Sequence, residues 1–227
     1  MAEANDYAAA DKAIRRMDRD NLRAFNRLKQ ADFERSSIVQ TVLNLYREQA
    51  RKARKEYLGI GLEAYIFALW LVDTEFSADA ARRMAADAIT GAWVDDILRQ
   101  TDFVTLYRFD SETERKANRL LEGLSVVTDP SYTEDWNTPK DSRNRMIDQA
   151  LKQWVRQLAQ YAINVTDYAM LQAYDDAGVE EVTWEDAGDR VVCADCHSRN
   201  GQSYRLDEVP TKHTNCRCRL RPKKAEA

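Results

Sequence analysis

The spacing of apolar residues predicts helices along roughly the first three quarters of the chain. Residues 6–31 carry a loose apolar stripe among many charges, which indicates an amphipathic helix with one side in water. A second helical pattern covers about 35–72. Gly59 and Gly61 fall inside that pattern, and because glycine weakens a helix interior we expect them to bend or break it.

Two shorter helices are predicted next. Ser77 is a candidate N-cap for a helix from Ala78 to about Gln100, because its hydroxyl can accept a hydrogen bond from the backbone of the first turn. The run Ser111–Glu114 fits a capping box. It predicts a short helix that opens at this run and ends at about Val126.

The clearest loop covers Thr128–Thr138, where Pro130 stands among several turn-forming residues. A good helix start follows it. Thr138 can cap the helix, Pro139 suits its first position and Asp141 complements its dipole. We therefore predict a helix that begins at about residue 139.

This last helix has the most regular apolar pattern in the chain. Its apolar residues alternate between spacings of four and three, and Gly178 lies where a C-cap is expected. The pattern favours a stripe buried inside the protein, and a seam with a second chain is the alternative. The stripe consists of Ile147, Leu151, Trp154, Leu158, Tyr161, Val165 and Tyr168.

After the long helix the pattern changes to that of a strand. Val179–Asp186 alternates apolar and polar residues, and Ala187-Gly188-Asp189 is typical of a turn. The predicted fold class is mainly α, with a small α+β module at the C-terminal end. Trp154 and Trp184 are expected in the core of that module.

Composition supports a helical, water-soluble protein. Of 227 residues, 44% are hydrophobic and 32% charged, with only 7 Gly and 4 Pro. The longest apolar run, Tyr65–Val72, is far shorter than the roughly 20 residues that span a membrane, and the N-terminal residues do not read as a secretory signal. We expect no membrane partner and synthesis in a reducing cytoplasm, where structural disulfides are rare.

The charge of the chain is unevenly distributed. Its net charge of −4 gives no overall attraction for nucleic acid. Residues 199–224, however, hold eight Lys and Arg against two Asp and Glu, which makes a local basic patch. Its candidate contacts to nucleic acid or to a protein partner are Arg199, Arg205, Lys212, Arg217, Arg219 and Arg221.

All four cysteines and both histidines lie within the 26 residues from Cys193 to Cys218. Cys193 and Cys196 form a Cys-x2-Cys knuckle, which directs two thiolates to one side of a tight turn. Asn200-Gly201 supplies a turn, after which further ligands return to complete a tetrahedron around zinc. These returning ligands are His213, Cys216 and Cys218.

Five candidates compete for four positions, and spacing does not decide between Cys216 and Cys218. We favour a structural zinc site made of the knuckle, His213 and one late cysteine; His197 is the weakest candidate and is expected to be exposed. Zinc would replace a core that so short and polar a segment cannot build. Two disulfides are the main alternative, favoured only if the protein leaves the cytoplasm.

Enzymatic readings of this segment are weaker. A catalytic thiol needs a partnered base, and no activated-nucleophile signature is present. The HExxH and zinc-deaminase motifs are absent from the sequence. A metal-dependent nuclease centred on His213 remains as one alternative, and a zinc-stabilised DNA-binding module as another.

The C-terminal motif resembles the phage Mu F-like minor head proteins, the phage head morphogenesis family. Thr214 stands where the family commonly has proline after its histidine, and the chain is short for the family. The resemblance covers about 185–220, and is weaker in the preceding helices. It rests on Trp184, Ala187-Gly188-Asp189, Arg190, Val192, Cys193, Cys196, Asn200-Gly201, Pro210 and His213-Thr214-Asn215-Cys216-Arg217-Cys218.

The resemblance implies a non-enzymatic minor capsid protein of a virion, assembled in the host cytoplasm. It implies contact with the portal or the major capsid protein, in a few copies around the portal, and a role in head assembly, DNA packaging or delivery. Packaged double-stranded DNA is a further partner that the basic patch could meet. The expected domains are a helical body, 1–127, and a minor-head-protein module, 128–227.

Overall fold

A computed structural model describes residues 6–31, 35–99, 108–127, 139–188, 192–210, 212–213 and 216–223. The mainly α fold class with a small C-terminal sheet is confirmed. The helices are α1 (Ala8–Lys29), α2 (Arg35–Val72), α3 (Ala78–Ala88), α4 (Gly91–Arg99), α5 (Phe109–Val127), α6 (Pro139–Asp176) and α7 (Ala194–Arg199). The strands are β1 (Glu181–Glu185), β2 (Ser203–Arg205) and β3 (Arg219–Pro222), with a 3₁₀ turn at Leu206–Glu208.

The sheet is antiparallel and has the order β2-β1-β3. The central strand β1 pairs Val182 with Tyr204 of β2 and Trp184 with Leu220 of β3. Val182 and Trp184 are both fully buried, because alternate residues of a strand point to the same side. The predicted strand at 179–186 is therefore confirmed, with its observed ends slightly inside the predicted ones.

The larger core lies between α1, α2, α5 and α6. Trp154 of α6 stands at its centre, with its ring 5.2 Å from that of Tyr46 and 6.1 Å from that of Phe109. Its indole N–H donates a hydrogen bond of 2.8 Å to the side-chain oxygen of Asn21. The expectation that Trp154 belongs to the C-terminal module is wrong, since α6 is long enough to reach both cores.

A second core surrounds the sheet. The ends of α2 and α6, together with α3, pack there against β1, β3 and the cysteines, with Trp184 fully buried as predicted. Because α2 and α6 contribute to both cores, they connect the two halves of the packing. The division of the chain at residue 127 stays a prediction, and the loop predicted at 128–138 lies outside the described residues.

Gly59 and Gly61 were predicted to bend or break the helix; a break is wrong, since α2 continues through both. Gly61 has a packing role instead. A Cβ atom placed on it would lie 2.8 Å from Cγ2 of Ile89 and 3.3 Å from the ring of Trp93. Glycine thus lets the segment joining α3 to α4 approach the backbone of α2.

The single helix predicted from Ala78 to about Gln100 is two helices, so that prediction is also wrong. Ile89 leaves the helical conformation (φ −97°, ψ 89°), and the side-chain oxygen of Thr90 accepts a hydrogen bond from the backbone N–H of Trp93. That bond caps α4 and opens a new helix. Ser77 does precede α3, but its side chain makes no capping hydrogen bond.

The capping box predicted at Ser111–Glu114 is wrong, because α5 already begins at Phe109. Inside the helix, the hydroxyl of Thr113 donates to the carbonyl of Phe109 instead of capping an end. At the long helix two boundary signals are confirmed, while the predicted cap Thr138 lies outside the described residues. Pro139 opens α6, and Gly178 follows it with a positive φ of 74°.

No helix in the described ranges is both long enough and apolar enough to cross a membrane.

Candidate metal centre

The Cys-x2-Cys knuckle is built around the start of α7. Cys193 is the N-cap of that helix, and its sulfur accepts a hydrogen bond of 3.4 Å from the backbone N–H of Cys196. This arrangement turns both sulfurs to the same side. Gly201 (φ 78°) then reverses the chain, and its N–H donates to the carbonyl of Trp184 in β1. The predicted turn at Asn200-Gly201 is thus held against the sheet.

The five predicted ligand residues come together. Nε2 of His213 lies 3.3 Å from Sγ of Cys193 and 3.1 Å from Sγ of Cys196. The sulfurs of Cys196 and Cys216 are 3.7 Å apart. Two groups of three have all their ligand atoms within 4.8 Å of one another, and Cys196 belongs to both. The groups are Cys193, Cys196, His213 and Cys196, Cys216, Cys218.

The distances within each group of three fit metal ligation better than disulfides. A zinc–sulfur bond of about 2.3 Å places two thiolates about 3.8 Å apart on a tetrahedron, close to the 3.7 Å between Cys196 and Cys216. A disulfide requires about 2.05 Å, and all four cysteines are free. The cluster could therefore hold a metal ion.

The local environment shifts the pKa values of the thiols in different directions. The backbone N–H of Cys196 lowers the pKa of the Cys193 thiol. Burial raises the pKa of Cys196 well above its usual range and that of Cys216 to about 11. Since the thiolate is the form that binds a metal, binding at Cys196 and Cys216 would have to displace their protons.

A buried ion pair between Lys212 and Asp167 holds the loop that carries the candidate ligands in place. Nζ of Lys212 lies 2.8 Å from Oδ1 of Asp167 in α6, and donates to the carbonyl of Cys218 at 2.6 Å. The hydroxyl of Tyr7 lies 2.8 Å from the same Asp167 oxygen and 2.9 Å from the same carbonyl. The side chains of Lys212 and Asp167 are only 10% and 12% exposed. The loop is thus tied to both α1 and α6.

Burial and the charge of the partner shift each pKa of this pair in opposite directions. Burial lowers the pKa of Lys212, but the carboxylate of Asp167 and the hydroxyl of Tyr7 outweigh that effect, so its pKa is raised overall. Burial also raises the pKa of Asp167, against the pull of Lys212. The closeness of the two side chains, with three hydrogen bonds from Lys212, favours the charged pair.

Two cations of the predicted basic patch pair with the N-terminal residues of the structure. Arg221 forms two hydrogen bonds with the buried carboxylate of Asp6, at 2.7 and 2.9 Å. Arg217 pairs with Asp11 at 2.9 Å and lies over the ring of Tyr7. These contacts hold both cations against carboxylates of the protein itself, Arg221 in a partly buried position and Arg217 at the surface.

Two of the other cations predicted to contact a partner are engaged in contacts within the protein. The guanidinium of Arg199 lies 5.3 Å from the ring centre of Trp184, and Arg205 pairs with Asp207 at 3.2 Å. Arg219 is half-buried in β3. His197 is exposed, as expected, and its Nδ1 lies 2.9 Å from a carboxylate oxygen of Asp186.

Four residues of this site were missed by sequence reasoning: Asp6, Tyr7, Asp11 and Asp167. The first three lie more than 200 residues from their partners, and no local pattern links them. Asp167 offered a weak signal, since it is a charge directly beside the apolar stripe of α6.

Comparison with known proteins bears directly on this region. Residues 136–221 match the family model described as "Phage Mu protein F like protein". The matched range contains α6, β1, β2, all but the last residue of β3 and all five candidate ligands. The match confirms the resemblance over these residues, and it supports a phage head-related protein. Neither curated proteins nor solved structures gave a match.

Proposed function

We propose that this chain is a non-enzymatic minor head protein of a phage virion, whose C-terminal module is closed by a structural zinc ion. The observation that carries the proposal is the coincidence of the family match with the converging ligand cluster. The module would act as a rigid part that the portal or the major capsid protein can bind, and several copies would surround the portal. Head assembly and DNA packaging or delivery are the processes it would assist.

Cys193, Cys196, His213 and Cys216 are the residues we assign to the metal. Three sulfurs and one imidazole nitrogen suit zinc, and a site with four protein ligands leaves no position for a reactive water. The 3.7 Å between the sulfurs of Cys196 and Cys216 supports Cys216 as the fourth ligand. When bound, zinc would supply folding energy rather than catalysis.

Metal content of the purified protein tests the zinc assignment. Elemental analysis should find about one zinc per chain, bound by thiols that react with a thiol reagent once a chelator has removed the metal. Protein that contains no zinc and whose thiols react only after reduction would show disulfides and contradict the assignment.

The position of the protein in particles tests the structural role. Antibody or fusion labelling of mature virions should locate it at the portal vertex, in a few copies. Location on the host membrane, or absence from purified particles, would contradict a minor head protein.

The alternative of a nuclease centred on His213 is disfavoured by geometry. Its Nε2 points at the sulfurs of Cys193 and Cys196, at 3.3 and 3.1 Å, and so occupies a ligand position. Incubation with duplex DNA and divalent metal should leave the DNA intact. Cleavage that is lost in His213→Ala would establish the nuclease instead.

A further inference from the structure

Positive charge is concentrated in α1 and the first half of α2 as well as in the C-terminal patch. Residues 12–55 carry 13 Lys and Arg against 5 Asp and Glu. This stretch is therefore net +8 in a chain of net −4, which leaves −12 for the remainder. So strong a separation of charge gives the molecule a cationic end that can orient it towards a polyanion.

The exposed cations form two regular rows. In each row the residues are four positions apart, which advances each step by about 6 Å along the helix axis and keeps neighbours on the same side. The buried residues of α1 and α2 lie on the opposite sides of the two helices. The rows are Arg15, Arg19, Arg23 and Arg27 on α1, and Arg47, Arg51 and Lys55 on α2, all of them exposed.

Packing of α1 against α2 joins the rows into one surface. Arg16 pairs with Glu56 at 2.5 Å, so the two helices meet along this side. The pKa of Glu48 is lowered by its hydrogen bond with Lys52 and further by Arg27 of the other helix. Moving forward along α1 therefore corresponds to moving backward along α2, and the carboxylates of Glu48 and Glu56 lie where the two helices meet.

Most of these cations are free, in contrast to those of the C-terminal patch. Within the described ranges, the side chains of six of the seven make no hydrogen bond or ion pair, although Arg27 and Arg51 help to lower the pKa of Glu48, and Arg23 has only a long contact of 3.8 Å with Asp20. Lys212, Arg217 and Arg221 are instead held by carboxylates. Compared with these three, the cations of α1 and α2 are more accessible to an external anion.

The character of the surface favours duplex phosphates over a protein partner. Six of the seven row residues are arginines, whose planar guanidinium matches phosphate oxygens. Protein interfaces usually have an apolar centre, but here the large exposed apolar side chains are the separate Leu22 and Val39. Phe25 and Tyr46 are fully buried and give single strands no ring to stack on.

We propose that the paired rows of α1 and α2 bind the phosphate backbone of double-stranded DNA without sequence preference. This inference goes beyond the proposed function and does not depend on the metal. If five to seven phosphates are contacted, the logarithm of the binding constant should fall with the logarithm of salt concentration at a slope of about −4.5 to −6.

Two triple variants test the surface: Arg15→Gln with Arg19→Gln and Arg23→Gln, and Arg47→Gln with Arg51→Gln and Lys55→Gln. Glutamine removes the charge but keeps helix propensity. A labelled duplex of about 30 base pairs, titrated at several salt concentrations, should bind each variant about tenfold or more weakly, with a slope reduced by about 2 to 3.

The matched control neutralises three exposed arginines on α3 and α4, Arg82, Arg83 and Arg99, each replaced by glutamine. It should change affinity less than about twofold. Equal losses in the control, wild-type binding that ignores salt, or no wild-type binding would overturn the proposal. So would tighter binding to poly-glutamate or to single-stranded DNA. Unchanged helicity and zinc content in the variants separate this outcome from failure of the metal assignment.

Discussion

Cys196 contributes to both groups of converging ligands, which makes it the centre of the candidate metal site. Sequence reasoning could assemble the five ligands, because all of them lie in one short segment with recognisable spacing. It could not choose between Cys216 and Cys218, since they stand only two positions apart and spacing allows either. The choice depends on how the loop is held, and that is set by Lys212, Tyr7 and Asp167.

Single serine substitutions should separate the two late cysteines. We expect Cys216→Ser to weaken zinc binding by more than about a hundredfold, because a ligand should matter more than a residue outside the ligand set. Cys218→Ser, as the matched control, should weaken it by less than about tenfold. Competition with a chromophoric chelator measures both. If Cys218→Ser weakens zinc binding more than Cys216→Ser does, Cys218 is the fourth ligand instead.

Removal of Lys212 should damage stability severely. Lys212→Met leaves the Asp167 carboxylate buried without its cation, which costs about 3–5 kcal/mol. Urea unfolding measures the loss. The double variant Lys212→Met with Asp167→Leu should recover much of it, because neither buried charge then remains. If the double variant is no more stable than Lys212→Met, the ion pair does not explain the loss.

Among the helices, α6 shows what sequence patterns predict well. Its apolar spacing, its opening proline and its closing Gly178 are all local signals, and the structure confirms each of them. The errors occurred where packing decides. α2 tolerates two glycines because its neighbours fix it, and the chain leaves the helical conformation at Ile89 where α3 and α4 pack against Gly61. Such packing effects leave no recognisable pattern in a short stretch of sequence.

The two glycines of α2 offer a matched pair of substitutions. Gly59 is exposed with nothing within 4 Å of an added Cβ, so Gly59→Ala should raise stability by about 0.8–1.0 kcal/mol through helix propensity. At Gly61 an added Cβ would press against the buried Ile89. Overpacking should leave Gly61→Ala about 1–3 kcal/mol less stable than Gly59→Ala. Equal unfolding free energies in denaturant would contradict the close approach.

In the chain as a whole, two cores share two long helices, but only one of them contains the candidate ligands. The core around Trp154 is made of large apolar and aromatic side chains and can hold without a metal. The core around Trp184 includes three cysteines and a short sheet, so its cohesion should depend on zinc. Local stability is therefore expected to differ between them.

Chelation should reveal that difference. After zinc removal, amide hydrogen exchange should speed up first in β1, β2, β3 and the end of α6, while the middle of α6 near Trp154 keeps its protection. Cys193→Ser should reproduce the pattern without a chelator. Loss of protection that is simultaneous in both cores would show one cooperative unit and contradict a local role for the metal.

The contacts of Asp6, Tyr7 and Asp11 with residues 212–221 also constrain when the protein can finish folding. These pairs join positions more than 200 residues apart, so α1 must wait on the ribosome until its partners have left the exit tunnel. Until then, the cations of α1 and α2 would already be exposed on a growing chain whose other end is unfinished. These contacts therefore form late, after synthesis has passed Arg221.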